Sequence, residues 1–398
     1  MEKIYFDYAA TTPVRQEVLD VMLPYFVDHY GNPSSIYEIA RSSKKALEKA
    51  RDKTAAAIGA DPKEIFFTGS GTESDNWAIR GIADLYKSMG KHIITSAIEH
   101  HAVLHTCEYL EKQGFDVTYL PVDGDGIIRM SDLEKAIRPD TILITIMAAN
   151  NEIGSIQPIE KIGSLARLNG IAFHTDAIQA VGHIPINVKT QSIDLLSLSA
   201  HKLYGPKGVG ALYVKNGIPL KPFIFGGGQE RNMRAGTENM AGIVALGHAI
   251  DLAVSEMKDE AIRLSALRDK MINGILTSVP HTRLNGSGTK RLPNNVNISF
   301  EFIEGEALLL LLDMKGVFAS SGSACTSGDL DPSHVLLAIG LPHELSHGSL
   351  RLTLGRRTTD SHVEYLLKEL PPIVSRLRDM SPLFEEHLKS GAKTETGV

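Results

Sequence analysis

Through roughly the first 215 residues, short apolar runs alternate with stretches whose apolar positions recur at helical period. The runs at 64–68, 92–97, 141–147, 171–174, 193–197 and 210–214 are almost free of polar interruption, as strands covered on both faces should be. Helices are predicted over 16–30, 35–58 and 72–89, each followed directly by a glycine, at 31, 59 and 90, the residue that takes a left-handed helix terminus at least cost. Ser131-Asp132-Leu133-Glu134 has the spacing of a capping box that opens a further helix. This alternation predicts an α/β fold, a parallel sheet with helices on both faces.

Beyond about residue 280 the pattern changes. Residues 295–302 read as a strand, 305–315 as a Leu-rich helix, and Leu350-Arg351-Leu352-Thr353-Leu354 alternates with period two. That predicts a smaller α+β domain with one solvated sheet face, bridged to the first by a long helix over 256–275. The expected division is a large domain over 14–257, with 1–13 and 258–398 forming the smaller one. The tail from Lys389 is polar and expected to fray.

Composition narrows the function classes. A chain of 398 residues with 43% hydrophobic and 22% charged residues can bury a sizeable core. Its 41 basic and 47 acidic residues leave a net charge of −6 without a basic block, so nucleic acid is not an expected partner. The longest nearly apolar stretch, 141–149, is far short of the ~20 residues that span a bilayer, so no membrane association is expected. Two cysteines far apart, Cys107 and Cys325, make neither a short-loop staple nor a CxxC knuckle. With no apolar leader at the N-terminus, the expectation is a reducing compartment, the cytoplasm.

Candidate chemistry gathers where the strands end, the place where open α/β sheets bind ligands. The first leads to Thr68-Gly69-Ser70-Gly71-Thr72-Glu73, the second to Glu99-His100-His101 and the third to Asn150-Asn151-Glu152. The fourth leads to His174-Thr175-Asp176-Ala177-Ile178-Gln179, and the fifth to Ser199-Ala200-His201-Lys202. Gly69-Ser70-Gly71-Thr72 is either a phosphate cradle at a helix N-terminus or an ordinary strand-to-helix turn; neither a Walker A loop nor Gly-x-Gly-x-x-Gly is present. A lysine picked at random is a solvated surface residue, but Lys202 at a strand end could bond to a carbonyl coenzyme. Asp176 at the neighbouring mouth could keep a pyridine nitrogen protonated. Lysine, acid and phosphate cradle are the protein parts that pyridoxal 5′-phosphate requires.

With these residues assembled, the chain resembles the cysteine desulfurases of the NifS/IscS type, a branch of the class V aminotransferase-like pyridoxal-phosphate enzymes. The resemblance rests on Phe6-Asp7-Tyr8-Ala9-Ala10-Thr11-Thr12-Pro13, Gly31-Asn32-Pro33-Ser34-Ser35, Thr72-Glu73-Ser74-Asp75-Asn76, Asn150-Asn151-Glu152-Ile153-Gly154 and His201-Lys202. It continues through Arg234-Ala235-Gly236-Thr237-Glu238-Asn239 and Arg351-Leu352-Thr353-Leu354-Gly355-Arg356, and is most specific at Ser320-Ser321-Gly322-Ser323-Ala324-Cys325-Thr326-Ser327. Two departures lie away from the proposed catalytic groups: Asp331, where relatives more often carry Glu, and 341–347, which matches no motif of that family.

The resemblance implies a fold type I, aspartate aminotransferase-like architecture and a coenzyme bonded to Lys202. Asp176 would hold the pyridine nitrogen, Gln179 and Asn151 would lie near the phenolic oxygen, and His100 would stack on the ring and shuttle protons. Gly71, Thr72, Ser199 and His201 would hold the phosphate, with Thr237 reaching in from a second subunit of a homodimer. Arg351, with Asn151 beside it, would grip the substrate carboxylate. Lys202 would remove the α-proton of L-cysteine, and the Cys325 thiolate would attack the substrate sulfur, giving L-alanine and a Cys325 persulfide for a sulfur acceptor such as an iron–sulfur scaffold protein. No metal site is implied beyond transient iron–sulfur ligation by Cys325 at most.

Three other readings compete. His343-Glu344-Leu345-Ser346-His347 is a literal His-Glu-x-x-His, but Gly348 leaves barely two helical turns for a zinc site. An aminotransferase or selenocysteine lyase would keep the coenzyme, and an aminotransferase would have no use for Cys325. A sulfur carrier without catalysis would not need Lys202. Cys107 is expected to be a buried packing residue, and the His101/His105 pair surface or packing residues.

Overall fold

The computed structural model describes residues 3–321 and 332–395. Strand β1 (Ile4–Tyr5) is followed by β2 (Ile65–Thr68), β3 (His92–Ser96), β4 (Asp116–Leu120), β5 (Thr141–Thr145), β6 (Ala172–Asp176), β7 (Leu195–Ser199) and β8 (Gly210–Val214). Strands β2 to β8 form one seven-stranded sheet in the order β2-β8-β7-β6-β5-β3-β4. Successive residues alternate between its faces. Phe67, Ile94, Ile144, Phe173 and Leu196 join the core under helices Glu38–Ile58, Ile159–Leu168 and Met240–Ser278, while Phe66, Ile93, Leu143, Ala172 and Leu195 pack beneath helices Gly71–Tyr86 and His101–Glu111. Burial on both faces accounts for the nearly continuous apolar runs.

Two features of the sheet depart from the expected pattern. The edge strand β4 was not anticipated, because its exposed Asp116 and half-buried Thr118 and Tyr119 break the apolar run. Strand β8 runs antiparallel to both neighbours, since the link at 200–209 is too short for the crossover that a parallel return needs. The remaining pairs are parallel.

The helices begin and end differently in places. The predicted 16–30 helix is two, Gln16–Met22 and Pro24–Val27, because Pro24 cannot donate its backbone N–H to the turn before it. The next starts at Glu38 and ends at Gly59, whose φ of 72° is the expected left-handed terminus. The third ends at Tyr86, before Gly90. Ser131 does not cap a helix: the helix is Met130–Ala136, and its N-cap Arg129 makes no side-chain cap bond.

The bridging helix is longer than the predicted 256–275, running 39 residues from Met240 to Ser278. Met240, Ile243, Leu246 and Ile250 enter the first core; Leu264, Leu267, Met271 and Ile275 enter a second one. By length and composition this helix could cross a membrane, a property that the longest unbroken apolar run does not reveal; half of its most apolar window is buried inside the protein.

The second core lies against an antiparallel sheet of β9 (Thr282–Leu284), β10 (Asn295–Phe300) and β12 (Ser349–Thr353), ordered β12-β10-β9, and against helices Gly305–Met314 and Asp360–Asp379. Strand β11 (Val317–Phe318) pairs with β1, which puts Ile4 and Phe6 in the same core. The solvated sheet face expected here is not found on β10 and β12, which are buried at every position. The period-two alternation is real, but its polar members Arg351 and Thr353 are turned toward other protein groups.

Candidate functional site

The parallel strands all finish at one edge of the large sheet, and the expected site residues follow from those ends. Strand β7 runs through Ser199 into the short turn Ala200–Lys202. The segment after β1 straps this turn: Thr12 donates its backbone N–H and hydroxyl to His201 O and accepts from Tyr204 N. Lys202 Nζ then donates to Ala9 O and Ala10 O, both at 2.6 Å, and Gln179 Nε2 donates to the same Ala9 O at 3.0 Å. The N-terminal strap thereby fixes the direction of the lysine amine.

Asp176 ends β6 and is 5% exposed. Its carboxylate accepts from Ile178 N at 2.9 Å. Burial lifts its pKa to about 6, against the lowering effects of the Ile178 N–H and the Lys202 charge. Behind it, Asp75 is fully buried, 3.6 Å from His174 Nε2; burial first, and Asp176 second, push its carboxyl well above the usual range.

His100 caps helix His101–Glu111, accepting from Ala102 N at Nδ1 (3.1 Å). That bond leaves the ring proton on Nε2. Burial, then His101 and Lys202, lower its pKa to about 4, so the ring is neutral at pH 7. His201 is likewise lowered to about 4, by burial first and then by Lys202 and Lys207, and its Nδ1 lies 3.2 Å from Thr11 Oγ1.

The turn into helix Gly71–Tyr86 has its N-cap at Ser70, whose side chain accepts from Glu73 N. A Cβ at Gly71 would come within 2.2 Å of Ile178 Cδ1 and 3.4 Å of Ser199 Cβ, so glycine is what lets this helix start lie against the Asp176 and Ser199 strand ends. Thr72 is exposed on its first turn. Thr237 is also exposed and lines a cavity of about 230 Å³ with Thr68, Gly69, Glu230 and Arg234.

Arg351 reaches the same edge from β12. It is 2% exposed; its Nη2 pairs with Asp7 Oδ1 at 2.9 Å, its Nη1 donates to Asn151 O at 3.3 Å, and its Nε is buried without a partner. An unpaired donor on a buried guanidinium is costly unless an anion completes it. Asn150 shapes the turn that presents Asn151, its Oδ1 accepting from Glu152 N and Ile153 N.

Cys325 lies outside the described residues, but both flanks of its segment are placed. Ser320 exchanges two backbone bonds with Arg351, at 2.7 and 3.2 Å. Ser333 Oγ donates to Glu152 Oε2 at 2.5 Å. Both described flanks therefore lie beside Arg351 and the Asn151 turn. Asp331 is outside the described residues as well.

Residues 4–366 match the family model of class-V aminotransferases. The chain is 60% identical over 380 residues to "Cysteine desulfurase IscS" of Methanosarcina thermophila, covering 96% of this chain and 94% of that protein. It is 56% identical over 391 residues to the protein of the same name from Clostridium botulinum, strain Hall, covering 98% of each. Among solved structures it superposes on a "NifS-like protein" with a TM-score of 0.89 at 39% identity, covering 94% of this chain and 100% of that one. The structure titled "SspA in complex with cysteine" matches with a TM-score of 0.79 at 42% identity, covering 89% and 99%. The chain belongs to the class-V aminotransferase family, in its cysteine desulfurase branch.

The fold is accordingly fold type I of the pyridoxal-phosphate enzymes, and membership of this family implies that coenzyme. The donor set of this class-V chain fits it: a lysine amine and a buried carboxylate at adjacent strand ends, a helix start that Gly71 lets lie against the Ser199 strand end, and a buried arginine with a free donor.

Sequence reasoning missed several residues here. Asp7 was quoted in a motif but given no partner, and the buried carboxyls of Asp75, Glu99 and Glu152 were given no role. Glu99, fully buried, takes the Ser96 hydroxyl at 2.5 Å and the Met147 N–H, and burial raises its pKa to about 8. Glu152, also raised by burial, sits near 7. Cys107 is buried, which pushes its thiol up. The rings of His101 and His105 lie tilted against each other with centres 4.8 Å apart, and those of His101 and His334 likewise at 4.9 Å. The His-Glu-x-x-His segment is a helix of five residues, His343–His347. Among the described residues no three His, Cys, Asp or Glu side chains are gathered as metal ligands.

Proposed function

We propose that this protein catalyses the pyridoxal 5′-phosphate-dependent removal of sulfur from L-cysteine, releasing L-alanine and leaving the sulfur on Cys325. The observation that carries the reading is the convergence, at one sheet edge, of the Lys202 amine, the buried Asp176 carboxylate and the incompletely paired Arg351 guanidinium. The cysteine desulfurase relatives, and the cysteine-bound neighbour at 42% identity, support it.

When bound, the coenzyme supplies an electron-withdrawing ring that acidifies the substrate Cα–H. Lys202 would hold the coenzyme aldehyde, and its amine would serve as the base for the α-proton. Asp176, beside the Lys202 charge, would hold the ring nitrogen. Asn151 and Gln179 would lie near the phenolic oxygen. His100, neutral and with its proton on Nε2, would stack on the ring and carry protons. Thr72, Ser199 and His201, with the backbone at Gly71, would hold the phosphate. Arg351 takes the substrate carboxylate on its free edge, a task for a forked donor.

Cys325 then forms an S–S bond to the substrate sulfur while the Cβ–S bond breaks. The electron pair of that bond stays on the substrate carbon, which takes up a proton on its way to alanine, and the persulfide passes to an acceptor protein of the iron–sulfur assembly type. The reading includes a cytoplasmic homodimer in which Thr237 serves the partner's phosphate. The exposure of Thr237, and of Phe225 on the segment leading to it, supports that arrangement.

The test is Cys325→Ala in coenzyme-loaded protein. Alanine and sulfide production from cysteine should fall by at least ~100-fold, the usual effect of losing a covalent nucleophile, with the visible spectrum unchanged. Wild-type rates in that variant would overturn the mechanism.

A further inference from the structure

Three consecutive residues that are not glycine adopt left-handed backbone: Glu230 (φ 44°), Arg231 (φ 59°) and Asn232 (φ 66°). Such residues are strained, and a run of them persists only where the surroundings over-determine it. The restraints are visible. The Glu230 carboxylate is 3% exposed and takes both Nη groups of Arg51, each at 2.8 Å, and the backbone N–H of Phe67 at 2.9 Å. Arg51 and Arg231 both donate to Ile65 O at 2.7 Å, and the Arg231 guanidinium lies 4.2 Å from the Phe66 ring centre. The strained turn is clamped along the length of β2.

The two clamped segments lead to the same place. Strand β2 continues into Gly69-Ser70-Gly71-Thr72, and the turn continues into Arg234-Ala235-Gly236-Thr237. A second clasp joins them further on: Arg234 donates to the Glu73 carboxylate at 2.9 and 3.2 Å, and Glu73 also accepts from Gly69 N at 2.8 Å. Between the clasps lies the cavity walled by Thr68, Gly69, Glu230, Arg234 and Thr237. A buried ion pair is a poor source of stability compared with apolar packing, and a strained turn is worse. Both are accounted for if what they fix is the placement of two limbs, one presenting Gly71 and Thr72 to this subunit's phosphate and the other presenting Thr237 to the partner's.

We propose that Glu230 is a positioning residue for the coenzyme phosphate, acting through the Phe67 backbone and the 230–232 turn. The inference rests on the reading that pyridoxal 5′-phosphate binds at this sheet edge. The Glu230 carboxylate bonds to Arg51 and Phe67, not to the residues assigned to the phosphate, so it would act on the placement of the limbs that carry them.

The test compares two ligands that share the aldehyde and the ring: pyridoxal 5′-phosphate and pyridoxal, which lacks the phosphate. Coenzyme-free protein is titrated with each, and uptake on Lys202 is read from the visible absorbance. In Glu230→Gln the affinity for pyridoxal 5′-phosphate should fall at least 10-fold, with that for pyridoxal within 2-fold of wild type. The double variant Arg51→Met/Glu230→Leu removes both buried charges together, so it avoids stranding one, and should show the same selective loss. An unchanged ratio of the two affinities, or an equal fall in both, overturns the proposal and leaves the functional reading standing. Wild-type protein that takes up neither compound overturns the functional reading, and this inference with it.

Discussion

Lys202 and Gln179 donate to one and the same acceptor, the carbonyl oxygen of Ala9, at 2.6 and 3.0 Å. A residue from the first turn after β1 thus sets the direction of two side chains that leave the sheet 170 and 193 positions later. The amine is held by backbone carbonyls, which lose no charge when the lysine leaves to bond an aldehyde. Lys202→Ala should take up no coenzyme that absorbs in the visible and should release no alanine. Lys202→Arg, which keeps a cation against Ala9 and Ala10 but cannot form the covalent bond, should be as inactive. Spectra and alanine assays of the two variants check this; activity in Lys202→Arg would show that the charge alone suffices.

Asp7 and Asn151 O take the two Nη groups of Arg351 and leave its Nε without a partner, the edge proposed for the substrate carboxylate. Arg351→Lys retains the charge but not the fork. A lost charge-assisted hydrogen bond of about 2 kcal/mol corresponds to a KM for cysteine raised ~30-fold, with kcat within ~3-fold. Steady-state alanine release against cysteine concentration measures both, and a KM at the wild-type value would remove Arg351 from the substrate site.

Glu99 gives a pH signature with a definite sign. Its pKa is about 8 in the folded protein against 4.5 as the reference value. Between those values the folded state holds a proton that the unfolded chain has released, so stability is fully present below about 4.5 and is lost as the pH rises toward 8. Glu99→Gln lacks that dependence. The melting temperature of Glu99→Gln minus that of wild type should therefore climb between pH 5 and 8 and level off above. A difference that stays flat across the window would mean that Glu99 is ionised in the fold.

The strands were legible in the sequence where both sheet faces are covered, because there every residue must be apolar: Ile93 faces one core and Ile94 the other. Edge strand β4 lacks that constraint and left no run. The polar alternation at Leu350–Leu354 was legible as a pattern but not in its meaning, because Arg351 and Thr353 are covered by Phe6, Asp7, β10 and Asn151 from distant parts of the chain. Lys202, Asp176 and His100 could be found from their places at strand ends. The buried carboxyls of Asp75, Glu99 and Glu152 could not, since burial of an acid is decided by what packs over it. Helix ends were read well at Gly59 and poorly at Ser131, where a capping pattern lies inside a helix that starts at Met130.

Cysteine is an internal control as well as a substrate. The chain has two, and Cys107 is buried on the helix that His100 caps, with its thiol held protonated. Coenzyme-loaded protein exposed to L-cysteine without reductant, then digested and weighed by mass spectrometry, should carry one additional sulfur atom on the peptide containing Cys325 and none on the peptide containing Cys107. Alanine released in step with an unmodified Cys325 peptide would contradict the account.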